Sequence, residues 1–299
     1  MVWLIVLAVI ALVCAHVLAA LYCAELFTRS KRRRVEGTPG DLGLRYEEVQ
    51  FEADDGTLLR GWYLESPGAR GTVVLAHDAD GTRADRRCGL FMLQRDYLRR
   101  GFHVMAFDLR GRGESGGARD HFGALEQQDV AAAVGYARER ASGLPVVLHG
   151  FGLGASLTIC ALAEGLEVDA AIVDSPFTTA RAYLRRRWAA VPGPTFRLAL
   201  RFARRFFGAD ADAAQPLRAI TRMPEIPLLF IHGKADRLVP LAHTLNIAGA
   251  ALTRRVEVWA VPGVGHCAAY LRSPDAYLRH CMEFIDSVLP VRRINVAAV

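Results

Sequence analysis

The sequence predicts an α/β fold in which helices cover both faces of a mostly parallel, doubly wound sheet. Short apolar runs alternate with helical stretches, and the runs lack polar alternation, as is typical of strands buried on both faces. The runs are GTVVLAHD, FHVMAFD, LPVVLHG, AAIVDSP, PLLFIHG and VEVWAVPG. The chain has 299 residues, 52% of them hydrophobic and 23% charged, which suits a large folded domain and excludes a disordered chain.

The first 24 residues predict a membrane-spanning helix. They are apolar except for His16, and five basic residues follow them in TRSKRRR. A helix of this length crosses the hydrocarbon core of a bilayer. We therefore expect a single-pass membrane protein, with residues 1–24 as a retained transmembrane anchor and residues 25–43 as a basic juxtamembrane linker. The positive-inside rule places the following domain on the cytoplasmic side. A cleaved secretory signal stays open as the alternative.

The folded domain is expected over residues 44–290, followed by a tail at 291–299. Its first segment, LRYEEVQFEADDGTLLRGWYLES, alternates well enough for two antiparallel strands joined around Asp54-Asp55-Gly56. About 50 residues then separate DSPF from PLLFIHG, which is too long for one crossover helix. We expect residues from about 177 to 222 to form a cap over the carboxyl ends of the strands, where such sheets bind ligands.

One helix expected in the cap, FRLALRFARRFFGA, is amphipathic. It has one apolar face and one basic face, the latter formed by Arg197, Arg201, Arg204 and Arg205. Two interpretations are open. The helix is either a lid with its apolar face over the pocket, which we favour, or it lies at a membrane surface with its arginines near anionic headgroups.

Three stretches carry the chemistry. HGFGLGAS has the spacing Gly150-x-Gly152-x-Gly154, typical of the sharp strand-to-helix turn that presents a nucleophile, yet Gly152 stands at the middle position. Asp236 follows a predicted strand in HGKADRLVP, and His266 follows the next strand in VPGVGHC. A buried carboxylate that orients an imidazole is the acid–base half of a serine hydrolase triad.

Together with VVLAHDADGTR, FDLRGRGESGG and DSPF, these stretches resemble the α/β-hydrolase superfamily in order and spacing. They are most similar to its membrane-anchored branch, akin to serine aminopeptidases and monoacyl-ester hydrolases. The resemblance covers roughly residues 45–289 and implies the α/β-hydrolase fold with a short helical cap. It implies that Asp236 is the triad acid and His266 the base, and that the backbone N–H groups of Ala79 and Leu153 form the oxyanion hole. The nucleophile matches Gly152, so the serine is absent and the triad is incomplete.

The chain departs from this family a second time, at Asp78. The oxyanion loop reads His77-Asp78 where the family usually has His-Gly. A carboxylate pointing at the hole would oppose the oxyanion that the hole stabilises. We favour an Asp78 side chain that turns to solvent. Neighbouring groups are not expected to replace the serine, because Ser156 and Cys160 lie on the following helix and Cys267 is adjacent to the base.

These departures predict a membrane-anchored protein of ester or amide hydrolase descent that is silent or nearly so, with a small acyl compound as its candidate ligand. One alternative is an active acyl-ester hydrolase that uses water activated by His266 and Asp236. Another is an ordinary serine hydrolase that carries a Ser→Gly change at Gly152. We expect no cofactor, no metal site and no nucleic-acid partner. The HDAD cluster offers ligands from one loop only, GFGLGA lacks the dinucleotide-loop spacing, and the arginines are scattered.

Overall fold

The computed structural model describes residues 1–289, so the expected tail lies outside the described residues. Its eight strands are β1 (Glu47–Glu52), β2 (Leu58–Leu64), β3 (Thr72–Ala76), β4 (His103–Phe107), β5 (Val146–Phe151), β6 (Ala170–Asp174), β7 (Leu228–Gly233) and β8 (Val256–Val261). They form one sheet in the order β1-β2-β4-β3-β5-β6-β7-β8. Strand β2 pairs antiparallel with β1 and β4, and all other pairs are parallel. The predicted mostly parallel sheet, led by an antiparallel pair, is confirmed.

Ten α-helices lie in the described residues: α1 (Val2–Thr28), α2 (Leu90–Arg99), α3 (Glu126–Arg140), α4 (Leu153–Ala163), α5 (Ala180–Arg187), α6 (Gly193–Phe207), α7 (Pro216–Ala219), α8 (Ala242–Ala250), α9 (Ala269–Arg272) and α10 (Pro274–Val288). Two apolar clusters cover the two faces of the sheet. Val73 and Val74 are fully buried and belong to opposite clusters. Since successive strand side chains point to opposite faces, burial on both sides explains the uninterrupted apolar runs.

Helix α1 is the one helix in residues 1–289 that is long and apolar enough to cross a membrane. Its first fourteen residues are exposed, whereas Ala20, Ala24 and Phe27 near its other end are buried against the domain. The helix is therefore a candidate membrane anchor or signal sequence whose last turns are part of the folded core.

The interval expected as a cap contains α5, α6 and α7. The apolar face of α6 packs against α1, with the rings of Phe196 and Phe27 centred 5.6 Å apart, and Ala199 and Ala203 have no exposed surface. The favoured interpretation of α6 as a lid with its apolar face over the pocket is corrected here, because α1 occupies that face. Its arginines are exposed on the opposite side, as the amphipathic pattern predicts.

Candidate active site

The turn between β5 and α4 has the tight geometry that the glycine spacing predicts. Gly152 adopts φ 51° and ψ −107°, a conformation that side-chain-bearing residues rarely take. A β-carbon on Gly150 would lie 2.5 Å from the carbonyl carbon of Gly154, and one on Gly154 would lie 2.7 Å from that of Ala76. The strand and helix cross too closely for any side chain at either position. The structure thus forms a tight strand-to-helix turn with Gly152, and no side chain, at its middle position.

Asp236 and His266 meet at the carboxyl edge of the sheet. The Nδ1 atom of His266 donates to Asp236 Oδ2 at 2.6 Å, and Asp236 Oδ1 accepts the backbone N–H groups of Leu238 and Val239 at 2.9 and 2.8 Å. Burial raises the pKa of Asp236, but hydrogen bonds from His232 and His266 outweigh burial and hold the pKa below its usual range. The two side chains expected from the resemblance as triad acid and base are therefore hydrogen-bonded to each other, and their catalytic roles stay a prediction.

Asp78 points into the site. Its Oδ1 atom accepts the backbone N–H of Leu153 at 2.9 Å, and its Oδ2 atom lies 3.6 Å from His266 Nε2. The expectation of a solvent-facing Asp78 is wrong, because the N–H of Leu153 and the imidazole of His266 together offer the carboxylate favourable partners. A β-carbon on Gly152 would lie 2.5 Å from Asp78 Cγ and closer still to its Oδ1. The carboxylate fills the space that a serine side chain at position 152 would need.

The pKa of Asp78 shows how this carboxylate is held. Burial raises its pKa, but the nearby His266 ring, with the backbone N–H groups of Leu153 and Ala79, lowers it well below the ordinary value. The two groups expected to stabilise an oxyanion therefore both face the Asp78 carboxylate. Their role in binding a reaction intermediate stays a prediction.

The pKa of His266 is shifted in the opposite direction. Burial lowers this pKa, but Cys267, Asp236 and Asp78 together raise it far above its ordinary value. Burial also raises the pKa of the Cys267 thiol to about 12, so the thiol is neutral at pH 7. The anions that face His266 at neutral pH are thus the two carboxylates, and both favour the protonated form of the ring.

Asp78, His266 and Cys267 each place one potential metal-ligand atom within 4.8 Å of the others. The thiol is buried with a raised pKa, and the Asp78 carboxylate already faces His266 Nε2 at 3.6 Å. The donor set is therefore satisfied without an ion. The expectation that the chain has no metal site stays a prediction.

Two of the groups considered as substitute nucleophiles have structural roles. The hydroxyl of Ser156 donates to Gly152 O at 3.1 Å and accepts the backbone N–H of Phe177 at 3.0 Å, and the residue has no exposed surface. Cys160 is buried in α4, and burial raises the pKa of its thiol to about 12. Neither group is an activated nucleophile.

A buried polar network behind the elbow was not foreseen from the sequence. The hydroxyl of Tyr97 donates to His149 Nδ1 at 3.0 Å, His149 Nε2 donates to the Tyr277 hydroxyl at 2.9 Å, and that hydroxyl donates to Asp174 Oδ2 at 3.0 Å. Burial lowers the pKa of His149 to about 3, so its ring is neutral, and burial raises the pKa of Asp174 to about 6. The sequence feature that could have indicated this network is the polar residue near the end of each of two apolar runs, His149 in LPVVLHG and Asp174 in AAIVDSP.

His232 is a second residue that was missed. It lies at the end of β7 with no exposed surface, and its Nε2 atom is 3.4 Å from Asp236 Oδ2. The same Nε2 donates to Val239 O at 2.8 Å, while Nδ1 accepts from the Thr244 hydroxyl at 2.7 Å. His232 therefore positions the loop that carries Asp236. A histidine at the end of an apolar run was again the only signal.

The cavity next to the oxyanion loop is small. It has a volume of about 30 Å³ and lies between Ala79 and Asp80 of that loop, Phe27 of α1, and Tyr183 and Trp188 of the cap. This volume suits a water molecule and is far too small for an acyl chain. The end of α1 therefore forms one wall of the space beside the site.

The sequence profile of the Alpha/beta hydrolase family matches residues 61–280. The uncharacterized protein YfhR of Escherichia coli strain K12 is 28% identical over 253 residues, which are 81% of each chain. Protein bem46 of Schizosaccharomyces pombe is 22% identical over 270 residues, 87% of this chain and 82% of bem46. The Pyrococcus furiosus esterase Pf2001 superposes with a TM-score of 0.73 at 24% identity, over 88% of this chain and all of that one, a likeness of fold alone. The chain belongs to the alpha/beta hydrolase family.

Proposed function

We propose that this chain is a membrane-anchored member of the family, descended from ester or amide hydrolases, that is silent or nearly silent toward acyl esters. One observation carries the proposal: the Asp78 carboxylate occupies the space of the nucleophile and accepts the N–H of Leu153. The cap then serves binding, with a small acyl compound as the candidate ligand. Such a ligand would need α1 or the cap to move away from the cavity of about 30 Å³ beside the oxyanion loop.

Three requirements of acyl transfer fail together at this site. No hydroxyl stands at Gly152, so no covalent intermediate forms there. The Asp78 carboxylate lies against the donors that would stabilise an oxyanion, and its negative charge repels one. The carboxylates of Asp78 and Asp236 both favour the protonated form of His266, and a protonated imidazole cannot act as a general base. Loss of a triad member alone leaves roughly 10³–10⁴-fold acceleration over water, and a blocked hole removes part of that remainder.

The two alternatives fit the geometry less well. Direct hydrolysis by activated water needs a neutral imidazole, whereas Asp78 and Asp236 both favour the protonated ring of His266. An ordinary serine hydrolase with a lone Ser→Gly change would have had a serine side chain colliding with Asp78. The Asp78 carboxylate fits the space that a side chain at position 152 would fill. This fit supports the interpretation that the changes at positions 78 and 152 occurred together.

The anchoring in this proposal rests on α1 and on the charges that follow it. Residues 1–24 are apolar apart from His16, and basic residues follow α1 at positions 29 and 31–34. Retained basic flanks stay on the cytoplasmic side of a membrane. We therefore place the hydrolase-fold domain on the cytoplasmic face of a single-pass protein.

The test compares four purified full-length chains: the native chain, Gly152→Ser, Asp78→Gly and the double variant. Each is assayed on short-chain nitrophenyl esters and with a serine-reactive fluorophosphonate probe. We expect turnover and probe labelling only in the double variant, because Gly152→Ser alone places its hydroxyl against Asp78. Adding His266→Ala to the double variant is the control, and it should abolish the gained turnover. Native turnover at ordinary enzyme rates, on the order of 1–10³ s⁻¹, would contradict the proposal.

A further inference from the structure

The turn that joins α5 to α6, together with the first turn of α6, is apolar and lies beside α1. This segment (Trp188–Phe196) is here named the cap tip. Its sequence WAAVPGPTF has no charged side chain. The Phe27 ring of α1 is centred 4.9 Å from Trp188 and 5.6 Å from Phe196. The side chains of the cap tip that do not pack inward are small and apolar, and the exposed ones are Ala189, Ala190, Pro192 and Pro194.

The contact with His16 shows how far the cap tip reaches along α1. The Thr195 hydroxyl lies 3.4 Å from His16 Nδ1, near the middle of the helix. His16 stands twelve residues before Thr28, the last residue of α1, which corresponds to about 18 Å of helix. The cap tip thus reaches back along α1 to a level inside the apolar run. Resting on the anchoring proposed above, we propose that the cap tip inserts into the interfacial layer of an anionic membrane beside α1.

The backbone of the cap tip is suited to an environment poor in water. Pro192 and Pro194 have no N–H group, and the N–H of Val191 donates to Trp188 O at 3.0 Å. The Arg185 guanidinium donates to Trp188 O at 3.2 Å and to Val191 O at 2.8 Å. Polar backbone groups near lipid must be satisfied within the protein, and these contacts satisfy the N–H of Val191 and the carbonyls of Trp188 and Val191.

Arginines flank the cap tip on both sides. Arg185 and Arg186 precede it, Arg197 and Arg201 follow it, and all four are exposed. Within the described residues, Arg197 and Arg201 form no ion pair, whereas Arg204, one turn further along α6, lies 3.5 Å from Asp210. The cap tip is thus an apolar segment with arginines on both sides. At a bilayer surface, apolar groups lie at the acyl boundary and cations lie at the headgroups, so this order suits insertion. Each arginine near an anionic surface strengthens the contact by about fivefold.

The test uses the full chain in nanodiscs of phosphatidylcholine and phosphatidylserine, with Cys14 and Cys23 replaced by serine because the other four cysteines are buried. An environment-sensitive fluorophore is attached at Ala190→Cys, and lipids spin-labelled at several depths serve as quenchers. Leu12→Cys, exposed on α1, reports the anchor. Ser142→Cys, exposed before β5 at the opposite edge of the sheet, is the matched control for a position far from the membrane.

We expect strong quenching at Ala190→Cys by lipids labelled near the headgroup, deeper quenching at Leu12→Cys, and none at Ser142→Cys. Quenching at Leu12→Cys without quenching at Ala190→Cys overturns insertion of the cap tip and leaves the anchor intact. Absence of quenching at both positions overturns the anchor, and insertion of the cap tip is overturned with it.

A charge-reversal pair tests the arginines. In the Ala190→Cys background, Arg197→Glu with Arg201→Glu should reduce quenching severalfold in discs that contain phosphatidylserine, and much less in pure phosphatidylcholine. Arg254→Glu with Arg255→Glu, exposed before β8, is the control and should leave quenching unchanged. Unchanged quenching in the Arg197 and Arg201 variant would overturn the preference for an anionic surface.

Discussion

Asp78 Oδ2 lies 3.6 Å from His266 Nε2, while Asp236 Oδ2 lies 2.6 Å from Nδ1 of the same ring. The imidazole is therefore held between two carboxylates, one on each nitrogen. In an active triad the second nitrogen faces the nucleophile and takes its proton. Here the Asp78 carboxylate lies on that side of the ring, and position 152 has no hydroxyl.

The first prediction concerns the protonation of His266. NMR titration of the imidazole should show the ring protonated well above the ordinary histidine pKa of about 6.5, because both neighbouring carboxylates favour the charged form. The variant Asp78→Asn removes one anion and should lower the His266 pKa. His103, whose pKa burial lowers, is the internal control and should titrate as before. An unchanged His266 pKa in the variant would show that the two groups do not interact.

The cluster of Asp78, His266 and Asp236 should make the free energy of unfolding depend on pH. The folded-state pKa values of Asp78 and Asp236 are lowered, so their contribution is present above the ordinary aspartate value of 3.8 and is lost as pH falls toward the lowered values. The pKa of His266 is raised instead, so its contribution to the free energy of unfolding is present at low pH and is lost only as pH rises through the raised value. Free energies of unfolding, measured in urea from about pH 6 down to about pH 2, should fall less steeply for Asp78→Asn than for the native chain. Parallel curves would contradict this linkage.

A double-mutant cycle should couple positions 78 and 152. Gly152→Ala introduces backbone strain of about 1–3 kcal/mol and a collision with the Asp78 carboxylate. In the Asp78→Gly background only the strain remains. The coupling free energy from denaturant unfolding should be about 1–3 kcal/mol. Additive effects would mean that the carboxylate can leave the space at no cost.

Removal of one hydroxyl should test the network behind the elbow. Tyr277→Phe leaves His149 Nε2 and Asp174 Oδ2 without their shared partner in a site that has no exposed surface. We expect a loss of about 1–3 kcal/mol in the free energy of unfolding. Tyr46→Phe, at a half-buried tyrosine near the surface, is the matched control and should change stability by less than about 0.5 kcal/mol.

Two glycine-to-alanine changes should have opposite effects. Gly154→Ala places a β-carbon against the backbone of Ala76 and His77, and it should destabilise the fold by about 3 kcal/mol or more, or prevent folding. Gly135→Ala, in the middle of α3 with open space around the added carbon, should stabilise the chain by about 0.5–1 kcal/mol. Thermal unfolding of both variants beside the native chain measures the difference. A tolerated Gly154→Ala would contradict the steric account of the elbow.

The sequence by itself determined the sheet, the elbow and the acid–base pair. Strands such as Thr72–Ala76 are buried on both faces, so their apolar composition is visible without any knowledge of their neighbours. Asp236 and His266 follow β7 and β8 directly, and neighbouring parallel strands deliver their following residues to one edge. Local composition and strand order were therefore sufficient.

The tertiary structure alone decided the direction of Asp78 and the partner of α6. The side-chain rotamer of Asp78 depends on the N–H of Leu153, 75 residues away, and on His266, and neither contact leaves a periodic signal. An amphipathic pattern shows that one face of α6 is apolar, but α1 covers that face only because the chain folds back on itself. Both outcomes depend on contacts between residues distant in sequence. Such contacts place the Asp78 carboxylate in the space beside Gly152.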